Sequence, residues 1–272
     1  MVAKSLPSES TITYSTSTSD FVERGSIVRR IWGDPDLVLL VFAGSAAEFA
    51  LNRAVDWLFF TGKIPNDPIG RLFSTVRYAQ EIVFVDEEKA RRTLDRINAQ
   101  HAAVEHERRQ TIPDWAYRDV LYMLIDYSER AYTLLYKPLS QSQRDELFEV
   151  FLRIGEGLAI PKLPLSYSEW QIDRHRHLVG DLTNSKHTSM LFQQYRKHLG
   201  LWRYCLLLEV QSLLVPDHVC RLLRLNKNPL ISGVARTYGA IRGRSLQSLV
   251  HTVLIPPRYW PEVRRFDRST SA

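Results

Sequence analysis

Three residues of this 272-residue chain are of types and spacing that could do chemistry. In "DPIGRLFSTVRY", Arg71 and Thr75 lie four residues apart, about one helical turn, on an otherwise apolar segment. In "RINAQHAAVEHER", Leu94, Ile97, His101 and Val104 recur at spacings of three, four and three, which puts His101 in the middle of an apolar stripe. Spacing leaves two readings of each feature. Arg71 can snorkel to solvent or pair with a carboxylate while Thr75 bonds its own backbone; alternatively the pair serves a ligand that is polar or anionic at one end and apolar elsewhere. His101 is either a hydrogen-bonded core residue or a ligand to a bound group. His106, five residues on, points about 140° away, so the two histidines cannot share one small ion. No H-E-x-x-H motif occurs, nor the paired Glu-x-x-His of di-iron bundles. His175 and His177, two apart, suit a solvated polar cluster better than a chelate.

The elements that must hold these residues are helical almost throughout. Asp67 is a good N-cap with Pro68 at the first helical position, which fixes Arg71 and Thr75 in the first two turns. On that helix Ile69, Leu72, Val76 and Val83 form the main apolar stripe. Arg71, Thr75, Tyr78 and Ile82 form a second one, so the helix is expected to be buried on both faces. Asp86 with Glu87 and Glu88 opens the helix of His101 by the same dipole logic, and Ser140 with Gln143 and Ser166 with Glu169 have capping-box spacing. Further helices are expected over 115–136, 187–214 and 229–251, with "IPKLPLS" and "IPPRYWP" as breaks. There is no internal repeat and no hairpin signature. The fold class is all-α, a multi-helix globular bundle: residues 1–25, rich in Ser and Thr, read as a flexible arm, and 26–272 as a single domain.

Composition narrows the function class. A charge of +6 from 36 basic and 30 acidic residues is modest, Lys and Arg run along the chain interleaved with Asp and Glu, and no nucleic-acid motif is present, so no nucleic-acid partner is expected. The N-terminus lacks the apolar core of a signal peptide, and Cys205 and Cys220 fit packing in a reducing, cytoplasmic compartment. The most apolar run, 37–51, contains Glu48 and is too short to span a bilayer, which needs about 20 residues. It reads as a core helix, with peripheral membrane contact as a further option.

The succession "NDPIGRLFSTVRYAQEIVF", "RINAQHAAV" and "IPDWAYRDVLYMLIDYSERAYTLLYKPLSQSQRDELFEVFLRIGEGLAIPKLPLSYSEW" resembles the haem-dependent oxygenases of the latex clearing protein (rubber oxygenase) and MpaB type, over about 36–170. The signals are D-P-x-G-R-x-x-x-T with Arg71 and Thr75, H-x-x-V with His101, and G-x-x-I-P-x-x-L-P-x-S from Gly157. The resemblance implies haem b with His101 as axial iron ligand, Arg71 and Thr75 as catalytic and haem-binding residues of the pocket, Tyr78 as a further haem-binding residue, and Trp57, Phe59, Phe60 and Tyr78 as aromatics around it. It implies O2 and a hydrophobic, isoprenoid-like substrate, with haem or small-ligand binding without turnover as the alternative. Two departures stand out. Ser74 occupies the place of the distal lysine of rubber-cleaving members, and His106 that of a glycine. The family's catalytic glutamate belongs to the preceding helix, where this chain offers Glu48 or Asp56.

Overall fold

The computed structural model describes residues 19–60 and 67–261. Among these are thirteen α-helices and no strand, only the isolated bridges Asp20–Asp86 and Asn52–Leu182. In chain order the helices are α1 (Ile27–Gly33), α2 (Pro35–Phe49), α3 (Asp56–Phe60), α4 (Pro68–Val83), α5 (Glu87–Arg108), α6 (Asp114–Leu135) and α7 (Gln141–Gly157). They continue as α8 (Tyr167–Gly180), α9 (Lys186–Leu199), α10 (Leu201–Leu214), α11 (Asp217–Leu223), α12 (Pro229–Ile241) and α13 (Arg244–Leu254). No described helix is long and apolar enough to cross a membrane.

The caps explain the starts. Asp67 accepts from the Gly70 N–H, Asp86 from Lys89, and Ser140 with Gln143 closes a reciprocal capping box. Ser166 caps α8 as expected, but the Glu169 carboxylate accepts from the Leu165 N–H instead of closing the box. Two expected helices are each split. Gly200, at φ +75°, ends α9 and opens α10, a backbone that L side chains rarely adopt. Arg242 and Gly243 separate α12 from α13 with extended backbone.

Helices α2 and α6 form the central pair. They meet at Gly44, where a Cβ would fall 2.3 Å from the Tyr127 ring, so the close approach depends on the missing side chain. Trp32, Tyr122, Ile125, Tyr127, Leu147 and Phe151 are fully buried around this pair. The run 37–51 therefore faces protein on its apolar positions and is no membrane-facing helix. Between α2, α6 and α8 sits a buried ion cluster. Arg174 donates to both Glu48 oxygens at 2.6 and 2.7 Å and to Asp126 at 2.9 and 3.1 Å, Tyr127 donates to Glu48 at 2.8 Å, and Arg130 donates to Asp126 at 2.6 Å.

Residues 1–18 of the expected arm lie outside the described residues, but 19–25 belong to the packed body. Phe21 and Val22 are buried, and the Phe21 N–H donates to the Val85 carbonyl at 2.9 Å. Their apolar side chains end the Ser/Thr-rich stretch before position 25. Both cysteines are free thiols; Cys220 is buried, whereas Cys205 is exposed and not a packing residue.

Candidate functional site

Helices α4 and α5, joined by the turn Phe84–Asp86, pack against each other and carry Arg71, Thr75, Tyr78 and His101. A ladder of polar contacts sets their register: Arg96 pairs with Glu81, and Gln100 donates to the Tyr78 hydroxyl at 2.7 Å. At the next step His101 lies within electrostatic reach of Arg71. The two sequence features thus share one locality, as their separate spacings could not show.

His101 is half-buried and its ring packs at a tilt on Tyr117 of α6, with centroids 5.1 Å apart. No hydrogen bond to either ring nitrogen occurs among the described residues. Burial first, then the Arg71 charge, lowers its pKa against the opposing pull of Glu105, so the imidazole is neutral. Glu105, one turn on, accepts from the Tyr117 hydroxyl at 3.2 Å and from the Ile112 N–H at 2.8 Å, which fixes the surface on which the ring lies.

Arg108 stands seven residues after His101, about two turns on the same face of α5. Its Nη2 donates to Asp56 at 2.6 Å and its guanidinium lies 3.9 Å from the Trp57 ring centroid, yet Nη1 is buried without a hydrogen-bond partner among the described residues. Sequence reading missed this residue; its i+7 relation to His101 was the available signal. Phe59 packs on His187, whereas Phe60 is exposed.

The second stripe of α4 is not uniformly buried. Ile82 is buried and Thr75 half-buried, but Arg71 is exposed, its Nη1 donating to Ser74 at 3.1 Å. The Thr75 hydroxyl makes only a long 3.4 Å contact to the Arg71 carbonyl. Tyr78 sits between Arg77 and Arg96 with its hydroxyl engaged by Gln100, on the rim of the hairpin. Of the two carboxylates considered, Glu48 is committed to the buried ion cluster, while Asp56 lies beside Arg108.

A second polar cluster contradicts the solvated reading of His177, although His175 is exposed as expected. His177 is buried, its Nδ1 bonded to Asp119 and 3.0 Å from Asp181, with Asn52 donating to Asp119 at 2.6 Å and Tyr122 to Asp173 at 2.8 Å. Ligating atoms of Asp119, His177 and Asp181 lie within 4.8 Å of one another, and His177 Nδ1 already contacts both carboxylates. Burial alone would lower the His177 pKa, but the Asp119 bond and the charges of Asp119, Asp173 and Asp181 outweigh it and raise it. A raised folded value stabilises the protein fully below the ordinary 6.5 and progressively less as pH rises through the folded value. The stability difference between wild type and His177→Gln should therefore shrink as pH climbs above about 6.5. Urea titrations of both proteins from pH 6 to 9 test this; a constant difference would show that the ring is neutral.

The family model for the catalytic domain of the ER-bound oxygenases mpaB/B′ and rubber oxygenase matches residues 29–243, which include the α4–α5 hairpin and both polar clusters. No curated protein matches the chain. With an all-α fold and a match over most of its length, the chain belongs to this mpaB/B′ and rubber oxygenase catalytic-domain family.

Proposed function

We propose that the chain is a haem b-dependent oxygenase that uses O2 on a hydrophobic, isoprenoid-like substrate. The observation that carries this reading is the pairing, on one face of α5, of a neutral His101 without a hydrogen-bond partner among the described residues and an Arg108 with a buried, unpartnered Nη1. That donor set fits haem: the imidazole offers a nitrogen to iron, and a guanidinium pairs with a propionate. Bound haem would supply the iron centre for O2 chemistry.

The chain's own residues do the rest. Tyr117 and Glu105 hold the His101 ring in place. Arg71, whose side chain bonds among the described residues to Ser74 of its own helix, can turn to a second propionate without leaving a described buried acid unpaired. Thr75 offers a hydroxyl whose present contact is weak. Asp56 is the carboxylate placed to hold or move a proton, and the half-buried Trp57, Phe59, Ile97 and Val104 offer apolar surface. Ser74 replaces a basic distal residue, so no lysine competes for the iron from this position.

One observation favours binding without turnover: Asp56 already accepts a hydrogen bond from Arg108 at 2.6 Å, so one of its oxygens is engaged before any substrate arrives. The first experiment is a pyridine haemochrome assay on purified protein, with O2 uptake on a polyisoprenoid. A single haem b per chain with substrate-dependent O2 uptake is expected. Haem without uptake supports the binding reading, and a colourless protein that does not take up added haem removes both.

A further inference from the structure

Helices α12 and α13 are amphipathic the wrong way round for a core. Three of their polar side chains point inward: Tyr238 and Arg242 of α12, and His251 of α13, bond to Asp36 at 2.9, 2.8 and 2.6 Å, while Thr237, Ser245, Ser248 and Thr252 are exposed. Gln247 and Arg242 also reach Asp34. Gly239 lets α12 lie directly on α6, where a Cβ would meet the Leu135 carbonyl oxygen at 2.3 Å. Both helices thus engage the same two carboxylates through Tyr238, Arg242, Gln247 and His251, which leaves exposed aliphatic side chains on their outer sides. On α12 Leu230, Val234 and Ile241 follow at spacings of four and seven and are 76, 65 and 66% exposed. On α13 Leu249 and Val253, four apart, are 60 and 48% exposed. Trp202 of α10 extends the patch, because its neighbour Arg203 donates to the Val253 carbonyl at 3.1 Å with its guanidinium over the Trp202 ring. Solvent-facing apolar residues at helical spacing mark an interaction surface.

The charge of the same region selects the partner. Residues 182–261 hold eleven Lys and Arg and only two acidic residues, Glu209 and Asp217, a charge of +9; the remainder holds 25 basic and 28 acidic residues, a charge of −3. The overall excess is therefore concentrated here, less evenly than interleaved residues along the chain would give. Exposed Arg196 and Lys197 end α9, and half-exposed Arg258 reaches His198 beside them. A second copy of this chain would bring like charge against like charge across a symmetric contact. Phosphate backbones of nucleic acid would satisfy the cations and leave the aliphatic stripes in water.

We propose that the outer face of α12 and α13, with the start of α10, docks on an anionic lipid surface, its aliphatic side chains entering the headgroup boundary and its cations meeting acidic headgroups. Docking is peripheral and does not depend on the haem reading, since it is read without cofactor or turnover.

Sedimentation of the full chain with vesicles tests it. Equimolar phosphatidylcholine and phosphatidylserine vesicles should pellet the protein at low salt, while phosphatidylcholine alone should bind it weakly. Raising the salt should release it. The triple variant Leu230→Ser, Val234→Ser, Ile241→Ser should lose most binding while keeping its helical circular dichroism, because these side chains are exposed. Arg196→Glu with Lys197→Glu should weaken partition to mixed vesicles by about tenfold or more. Binding that ignores phosphatidylserine, or is unchanged in the aliphatic variant, overturns the proposal. So does a concentration-dependent dimer in which the aliphatic variant is monomeric, or retention on RNA but not on vesicles.

Discussion

Replacing Arg174 with methionine should lower stability by about 3–5 kcal/mol, the usual cost of breaking a buried ion pair from one side. For a chain of this size that is a fall in Tm of roughly 6–20 °C. The geometry argues for the upper part of the range. Arg174 is only 4% exposed and is, among the described residues, the one cation that touches both Glu48 and Asp126. Its loss leaves, among the described residues, Glu48, 1% exposed, with the Tyr127 hydroxyl and Asp126 with Arg130 as their remaining side-chain partners. Burial works against ionisation of Asp126. Asp126 nonetheless has its pKa lowered because Arg174, then Arg130, outweighs that burial, and the Arg174 pKa is raised well above normal because Glu48 and Asp126 outweigh its own burial. Arg174→Lys should recover only part of the loss, since an ammonium cannot hold both Glu48 oxygens and Asp126 at once. The double variant Arg174→Met, Glu48→Met should be more stable than Arg174→Met, because it removes the stranded charge instead of burying it. Thermal unfolding of the three variants decides the matter. A midpoint for Arg174→Met within about 2 °C of wild type would mean that water reaches the cluster and screens it.

How far the sequence discloses this molecule depends on the distance over which its contacts act. Helix starts are local events, so Asp67, Asp86 and Ser140 cap where their spacing says they should. The apolar face through Leu94 and His101 is equally local: Leu94 is buried, and the stripe becomes half-buried towards Val104 as the helix leaves the core. The ion cluster is not local. Glu48 and Arg174 are 126 residues apart, and nothing in either neighbourhood distinguishes a buried guanidinium from a solvated one. His177 was misplaced for the same reason, since its partner Asp119, and the Asn52 that donates to Asp119, come from other segments. Arg108 was passed over because Asp56, which engages it, lies 52 residues earlier. The two C-terminal helices mislead differently. Their apolar periodicity is real, but the rule that such a stripe faces the core fails where Asp34 and Asp36 draw the polar side inward.

His101→Ala should abolish haem retention while leaving the fold intact, and that separation makes it the sharpest test of the proposed cofactor. The ring is half-buried and makes no hydrogen bond to a described residue, so its removal strands no polar partner; the loss is confined to packing on Tyr117. A ligand role predicts the opposite balance, because the axial nitrogen is what holds iron to the protein. His106→Ala is the matched control, exposed and on another face of α5, and should keep full haem content. Arg108→Met should fall between them. It removes the buried, unpartnered Nη1 and also frees Asp56, so retention should weaken by about 10–100-fold, as when a supporting contact of a metal site is lost. Arg71→Met removes an exposed cation and should cost little stability without haem, but it should raise the rate of haem loss when Arg71 closes on a propionate. Haem transfer to apomyoglobin gives the loss rates, and circular dichroism gives the fold. If His101→Ala keeps wild-type haem content and loss rate, the axial assignment is wrong. If all four variants lose haem together with helicity, the site is structural, and the unbonded ring of His101 needs another explanation.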